Sequence, residues 1–96
     1  MPSFTLTKKA NADMLAIGRY TIEKWGKAQC AKYLKQLDST FFELAESPDI
    51  GRKCDDIRSG YYKYGVGKHL VFYRKVSRGI EIVRILHGSM DIEQHV

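Results

Sequence analysis

The first half of the chain carries apolar residues at the spacing of two amphipathic helices. Between Lys8 and Trp25 the apolar positions recur every three or four residues, and a second such series runs from about Lys27 to Glu46. Residues at this spacing form one stripe along a helix. Gly26 lies between the two series, where a glycine can end a helix in a left-handed conformation. The pattern therefore predicts two helices joined as a helical hairpin.

Short segments on either side predict where this helical region starts and stops. Phe4 to Thr7 alternates apolar and polar residues, which predicts a first strand, and Thr7 is available as the N-cap of the first helix. Pro48 disfavours helical backbone at the residue before it. We therefore expect the second helix to end at about Glu46, before Ser47.

The second half of the chain changes to the two-residue period of β-strands. Its apolar and aromatic runs predict three strands, over Ile57–Tyr64, His69–Val76 and Ile80–Leu86, with turns at residues 65–67 and 77–79. Strands joined in series in this way form an antiparallel meander. The expected fold class is α+β in a single domain spanning residues 1–96. It comprises an N-terminal strand, a two-helix hairpin, a three-stranded antiparallel meander and a short C-terminal helical turn over Met90–His95.

The last predicted strand has one charged residue among apolar ones. Strict alternation places Ile82, Arg84 and Leu86 on one face of the sheet. An arginine without a partner is rarely buried, so this face is expected to point away from the helices. Ile82 and Leu86 would then be exposed unless another part of the chain or a partner protein covers them. We favour a partner as the cover.

Charge also favours a partner, and an anionic one. The 96 residues include 16 Lys and Arg against 11 Asp and Glu, which gives a net charge of +5. Between Ile57 and Leu86 the only acid is Glu81, whereas the bases there are Arg58, Lys63, Lys68, Arg74, Lys75, Arg78 and Arg84. Such a segment suits nucleic acid or an acidic protein segment. The alternative is a solvated surface that only keeps a small protein soluble.

The residues that usually carry chemistry form no familiar site. The glycines of Gly65-Val66-Gly67 lack the spacing of a phosphate-binding loop, and the three histidines lack metal-ligand spacing. We therefore expect no cofactor and no metal ion. Cys30 lies on the predicted buried stripe, and Cys54 has no histidine beside it that would activate a thiol.

Trp25 and the pair of Arg84 and His87 each leave two interpretations open. Trp25 can act as a wedge that closes the two helices or as a contact residue for a partner. Arg84 and His87 are candidates for a charge clamp and a general base in RNA cleavage. Three residues apart on a regular strand, however, they face opposite sides of the sheet.

Several segments, taken in order, carry a resemblance to a known family. The longest is the run Ile82-Val83-Arg84-Ile85-Leu86-His87-Gly88-Ser89-Met90-Asp91. Shorter and weaker ones are Ala12-Asp13-Met14, Trp25-Gly26, Pro48-Asp49-Ile50-Gly51 and Phe72-Tyr73-Arg74. Together, over nearly the whole chain, they resemble ParE toxins within the RelE/ParE superfamily of toxin–antitoxin systems.

The resemblance implies a cytoplasmic bacterial toxin that traps DNA gyrase on cleaved DNA without catalysis of its own. It also implies neutralisation by a ParD-like antitoxin, and neither sequence-specific nucleic-acid binding nor a membrane location is expected. The alternative is a RelE-like, ribosome-dependent mRNA endoribonuclease that uses His87 and Arg84. Candidate antitoxin-binding residues are Ile82, Arg84, Leu86, Arg58, Arg74 and Trp25. The terminal segment supplies the candidate gyrase-binding residues, which are Met90, Asp91, Ile92 and His95.

Overall fold

The computed structural model describes residues 3–88 and residue 96. Its elements, in chain order, are strand β1 (Ser3–Leu6), the helical segment α1 (Lys8–Glu46), a short 3₁₀ helix (Pro48–Ile50), and strands β2 (Arg52–Lys53), β3 (Tyr61–Val66), β4 (His69–Val76) and β5 (Gly79–His87). The fold is mixed α+β. The helical turn predicted over Met90–His95 falls outside the described residues.

The helical segment α1 is broken at Gly26, whose φ of 87° and ψ of 173° are not helical. A straight helix of its 39 residues would be about 58 Å long. The greatest extent of the molecule is 37 Å, so the segment bends. Residues 8–25, here called the first arm, and residues 27–46, the second arm, approach each other where the Cys30 thiol donates to the Gly18 carbonyl at 3.4 Å.

The ends of α1 are capped by residues that the sequence singles out. The Thr7 side chain accepts a hydrogen bond from the Ala10 amide at 3.0 Å, which confirms Thr7 as the N-cap. Its hydroxyl also donates to the Val83 carbonyl at 2.8 Å and so ties the start of α1 to β5. At the other end the Ser47 amide donates to the Glu43 carbonyl, and Pro48 follows at once.

One five-stranded sheet runs in the order β1-β5-β4-β3-β2. β1 pairs with β5 in parallel, and the other three pairs are antiparallel. The short edge strand β2 lies in a stretch for which no strand is predicted from the sequence. The connections between β3 and β4 and between β4 and β5 are two residues long, since Gly65, Val66 and Gly79 belong to strands and not to turns.

The hydrophobic core lies between α1 and one face of the sheet, here called the core face. Its buried members come from both arms and from β3, β4 and β5, and the least exposed of them include Leu37, Phe41, Leu44, Val71, Tyr73, Ile80 and Ile82. Tyr73 also closes the loop after α1, because its hydroxyl donates to the Pro48 carbonyl at 2.7 Å and accepts from the Gly51 amide at 3.0 Å. Within the described range, no helix has the length and apolar character needed to cross a membrane.

Candidate functional site

A β-bulge in β5 changes which residues share a face. Phe72 is in register with Arg84, but the next residue of β4, Tyr73, is in register with Ile82. Val83 is therefore the extra residue of the bulge, and the alternation shifts by one at that point. Ile82 lies in the core against α1, whereas Leu86 packs on the opposite face. The expectation that Ile82 and Leu86 share an exposed face is wrong.

The face of the sheet away from α1, here called the outer face, is covered by the chain itself. Cys54, Phe72 and Leu86 form an apolar cluster there, and none of them is more than 1% exposed. Three residues pack against this cluster: Ile57 from the loop before β3, Tyr61 from the start of β3, and Val96 at the last position. The exposed apolar surface that favoured a partner as the cover therefore does not exist at Ile82 or Leu86, because tertiary packing has already buried both.

Arg84 is held in an ion pair with Asp13 of the first arm, contrary to the expectation of an arginine without a partner. Its Nε and Nη2 atoms donate to the two carboxylate oxygens of Asp13, each at 2.8 Å. The same carboxylate accepts the Ile85 amide at 2.9 Å. Both side chains are only 14% exposed, and the hydrogen bond to Asp13 raises the pKa of Arg84 further. Asp13 thus provides a hydrogen-bond acceptor for the backbone of β5 just beyond the point where its pairing with β1 ends.

Of the three arginines among the candidate antitoxin-binding residues, Arg74 lies apart from the other two. Arg74 forms an exposed ion pair with Glu81 at 2.8 Å. Arg58 and Arg84, in contrast, line one cavity of about 380 Å³, here called the basic cavity. Its lining consists of Thr7, Lys8, Lys9, Arg58, Tyr61, Val83, Arg84 and Val96. Lys8 and Lys9 were not singled out from the sequence, because they are 49 or more residues from Arg58 along the chain.

His87 belongs to a second polar cluster, on the core face of the sheet. It is in register with His69, and their ring centroids are 5.5 Å apart. The Tyr33 hydroxyl lies 3.0 Å from the Val66 carbonyl and 2.7 Å from Nδ1 of His69. A hydroxyl has one proton to donate. If that proton goes to Val66, then Nδ1 of His69 carries a hydrogen and donates it to Tyr33. Burial, and then the charge of His87, lower the pKa of His69.

We expect this cluster to make the protein less stable as the pH falls from about 7.5 to about 5.5. The unfolded His69 takes up a proton near its ordinary pKa of 6.5, whereas the folded ring resists protonation. The unfolded state therefore binds more protons in this window, and the free energy of unfolding falls until the pH passes below the folded pKa. Urea denaturation at each pH measures this. The variant His69→Asn should flatten the profile, and an unchanged profile in that variant would contradict the assignment.

Trp25 is 68% exposed, so its interpretation as a wedge between the arms is wrong. Leu15 and Ile22 of the same arm are 65% and 46% exposed. Leu15 and Ile22 are seven residues apart and Trp25 follows three residues later, so the three lie along one side of the helix. This apolar stripe is a surface suited to contact with another protein.

The candidate gyrase-binding residues Met90, Asp91, Ile92 and His95 lie outside the described residues.

Comparison with known proteins identifies the class and then the family. A family model described as the ParE toxin of the type II toxin–antitoxin system parDE matches residues 4–92. Toxin ParE1 of Caulobacter vibrioides is 38% identical over 96 residues, covering 100% of this chain and 99% of that protein. Toxin ParE1 of Mycobacterium tuberculosis (strain ATCC 25618 / H37Rv) is 38% identical over 94 residues, covering 97% and 96%. The chain is a toxin of a type II toxin–antitoxin system. It belongs to the ParE toxin family.

A solved structure agrees with the fold. The structure titled "Chromosomal ParDE TA system from P. aeruginosa" superposes with a TM-score of 0.77 at 21% sequence identity. The match covers 91% of this chain and 96% of that one. At this identity the likeness extends to the fold alone.

Proposed function

We propose that this toxin inhibits DNA gyrase by trapping the enzyme on cleaved DNA, and that a ParD-like antitoxin neutralises it. The observation that carries the proposal is membership of the ParE family over residues 4–92. Under this proposal the toxin acts in the bacterial cytoplasm by binding, and it performs no chemical step of its own.

Two features of the described residues support binding as the mode of action. Arg84 and His87 lie on opposite faces of β5, and the Arg84 guanidinium is engaged by Asp13. A phosphodiester placed against one of these residues is therefore on the wrong side of the sheet for the other. The apolar stripe supports binding as well, since an exposed tryptophan is a typical anchor of a protein interface. Trp25 thus stays a candidate for antitoxin binding.

The variant His87→Gln distinguishes a binding toxin from a nuclease. We expect it to inhibit gyrase supercoiling with nearly the same potency as the parent, because contact and shape do not require a proton-transferring ring. Loss of a general base from a nuclease would instead reduce the rate by roughly 10²–10⁴-fold. The assay uses purified gyrase and relaxed plasmid, with cleavage of mRNA in a translating extract as the second readout. The proposal would be contradicted if the parent cleaved mRNA on the ribosome, the His87→Gln variant did not, and neither of the two proteins affected supercoiling. The RelE-like activity would then be the function.

The terminal segment is proposed to contact gyrase through Met90, Asp91, Ile92 and His95. Truncation after Ser89 is a poor test of this, because it also removes Val96, which packs against the outer-face cluster. The variants Met90→Ala and Ile92→Ala keep Val96 in place. Loss of supercoiling inhibition at an unchanged melting temperature supports the assignment, and full inhibition by both variants removes it.

A further inference from the structure

Two histidines meet at one end of the sheet, although they are 18 residues apart in the sequence. His69 begins β4 and His87 ends β5, and the two residues are in register. One residue further on, the Gly88 amide donates to the Lys68 carbonyl at 3.0 Å, so those two residues form a hydrogen-bonded pair. His69 and His87 therefore form a pair of the other kind, in which opposite side chains lie closer together. The strand register thus places two imidazoles side by side on one face.

The separation of the two rings fits a shared metal ion. Their centroids are 5.5 Å apart, and the angle between the ring planes is 86°. Two imidazoles that each bind one ion through a nitrogen at about 2.0–2.1 Å have centroids about 4.5–5.5 Å apart, for angles at the metal of about 90–115°. The observed separation lies at the upper end of this range. The pairing of β4 with β5 therefore already sets the spacing that two such ligands need.

Tyr33 favours the tautomer of His69 that can bind a metal ion through Nε2. The Tyr33 hydroxyl lies 3.0 Å from the Val66 carbonyl, which can only accept a hydrogen bond, and 2.7 Å from Nδ1 of His69. Both contacts are satisfied only when the hydroxyl donates to Val66 and Nδ1–H donates to the hydroxyl. Nε2 of His69 then carries the lone pair. Histidines that bind metal ions almost always donate their other ring N–H to an oxygen, which fixes the orientation of the ring.

Tyr33 is itself held in place, whereas the two histidines remain accessible. The Tyr33 side chain packs against the core, and a β-carbon at Gly67 would lie 2.9 Å from its hydroxyl oxygen. The hydroxyl thus fits closely against the turn between β3 and β4. His69 and His87 are both partly exposed to solvent, so a hydrated ion can reach them.

We propose that His69 and His87 bind a divalent transition-metal ion of the zinc or copper type, with Tyr33 as the positioning residue for His69. Imidazole suits these ions, whereas Mg²⁺ and Ca²⁺ prefer oxygen ligands. Over residues 3–88 and 96, no group of three His, Cys, Asp or Glu side chains is placed to hold a metal ion, so water fills the other coordination positions. The site differs from the expectation of no metal ion because spacing along the chain does not report which histidines face each other across two strands.

The test titrates zinc chloride into the untagged, full-length toxin at pH 7.5, where a histidine with the ordinary pKa of about 6.5 is mostly neutral. Calorimetry measures the affinity, NMR of the isotopically labelled protein identifies the rings that respond, and magnesium chloride is the negative probe. His69→Asn and His87→Gln each remove one ligand. The matched control is His95→Asn, since His95 is the third histidine of the chain. Tyr33→Phe removes only the hydroxyl behind His69.

We expect zinc to bind with one-to-one stoichiometry and to shift the ring signals of His69 and His87, and magnesium to shift neither. Zinc affinity should fall by at least about tenfold in His69→Asn and in His87→Gln, and by less than about twofold in His95→Asn. An equal loss in His95→Asn, or no zinc binding by the parent at about 1 mM, would overturn the inference. If His69→Asn melts early, His87→Gln alone decides.

The role of Tyr33 has its own readout. The nitrogen-15 spectrum of the metal-free parent should show His69 as the Nδ1–H tautomer, and Tyr33→Phe should show a mixture of both tautomers together with zinc binding that is weaker by about tenfold. A structural role alone would leave the tautomer unchanged. An Nε2–H tautomer in the parent, or unchanged zinc affinity in Tyr33→Phe, would remove Tyr33 from the site.

Discussion

Replacing Arg84 by alanine should lower the free energy of unfolding by about 2–4 kcal/mol. In the parent both side chains of the pair are only 14% exposed, and the change removes the guanidinium from Asp13, whose carboxylate then keeps the Ile85 amide as its partner among the described residues. Removal of one member of a buried ion pair is costly because the other charge stays desolvated. This expectation differs from the one based on the sequence, in which Arg84 points away from the helices as a contact residue for a partner.

Urea denaturation of four proteins tests the pair: the parent, Arg84→Ala, Asp13→Ala and the double variant. We expect the two single changes to be strongly non-additive, because they remove the same interaction. The matched control is Arg74→Ala, whose ion pair with Glu81 is exposed to solvent and should contribute little to stability. An Arg84→Ala protein as stable as Arg74→Ala would show that the ion pair contributes nothing to the fold.

The second large effect is expected at Gly79, where alanine should cost about 3–5 kcal/mol or prevent folding. Gly79 has a φ of 148° and lies in register with Ser3 in the parallel pair of β1 and β5. A β-carbon there would overlap the backbone oxygen of Ser3, and backbone cannot move aside as a flexible side chain can. To relieve the overlap β1 must leave the sheet, and the Thr7 cap that follows it is lost as well.

The control for Gly79→Ala is Gly18→Ala in the first arm. A β-carbon at Gly18 would lie 3.7 Å from Cδ1 of Leu34, an ordinary van der Waals distance, and alanine favours the helix. This variant should be as stable as the parent or more stable by about 0.5–1 kcal/mol. Chemical denaturation gives both values, and hydrogen exchange at residues 4–6 reports whether β1 has detached. Protected β1 amides in a stable Gly79→Ala protein would contradict the steric argument.

Local features of the fold follow from the sequence because they depend on neighbouring residues. The helical stripe from Cys30 to Leu44, the break at Gly26, the cap at Thr7 and the stop before Pro48 each depend on residues within about one helical turn. The family is recognisable for a related reason: the run from Ile82 to Asp91 is continuous. None of these features requires knowledge of which strands pair.

The site depends on pairing and on distant contacts, and only the tertiary structure decides those. The bulge at Val83 arises from the register between β4 and β5, and that single shift moves Ile82 and Leu86 to opposite faces. Asp13 and Arg84 are 71 residues apart, so no local pattern indicates that the carboxylate neutralises the arginine. The cover over the outer face comes from Ile57, Tyr61 and Val96, which pack against the cluster of Cys54, Phe72 and Leu86 only once the chain has folded. The amino-acid sequence by itself therefore determined the helical segment, its ends and the family, whereas long-range packing determined the edge strand β2, which residues are buried and which cations meet in one cavity.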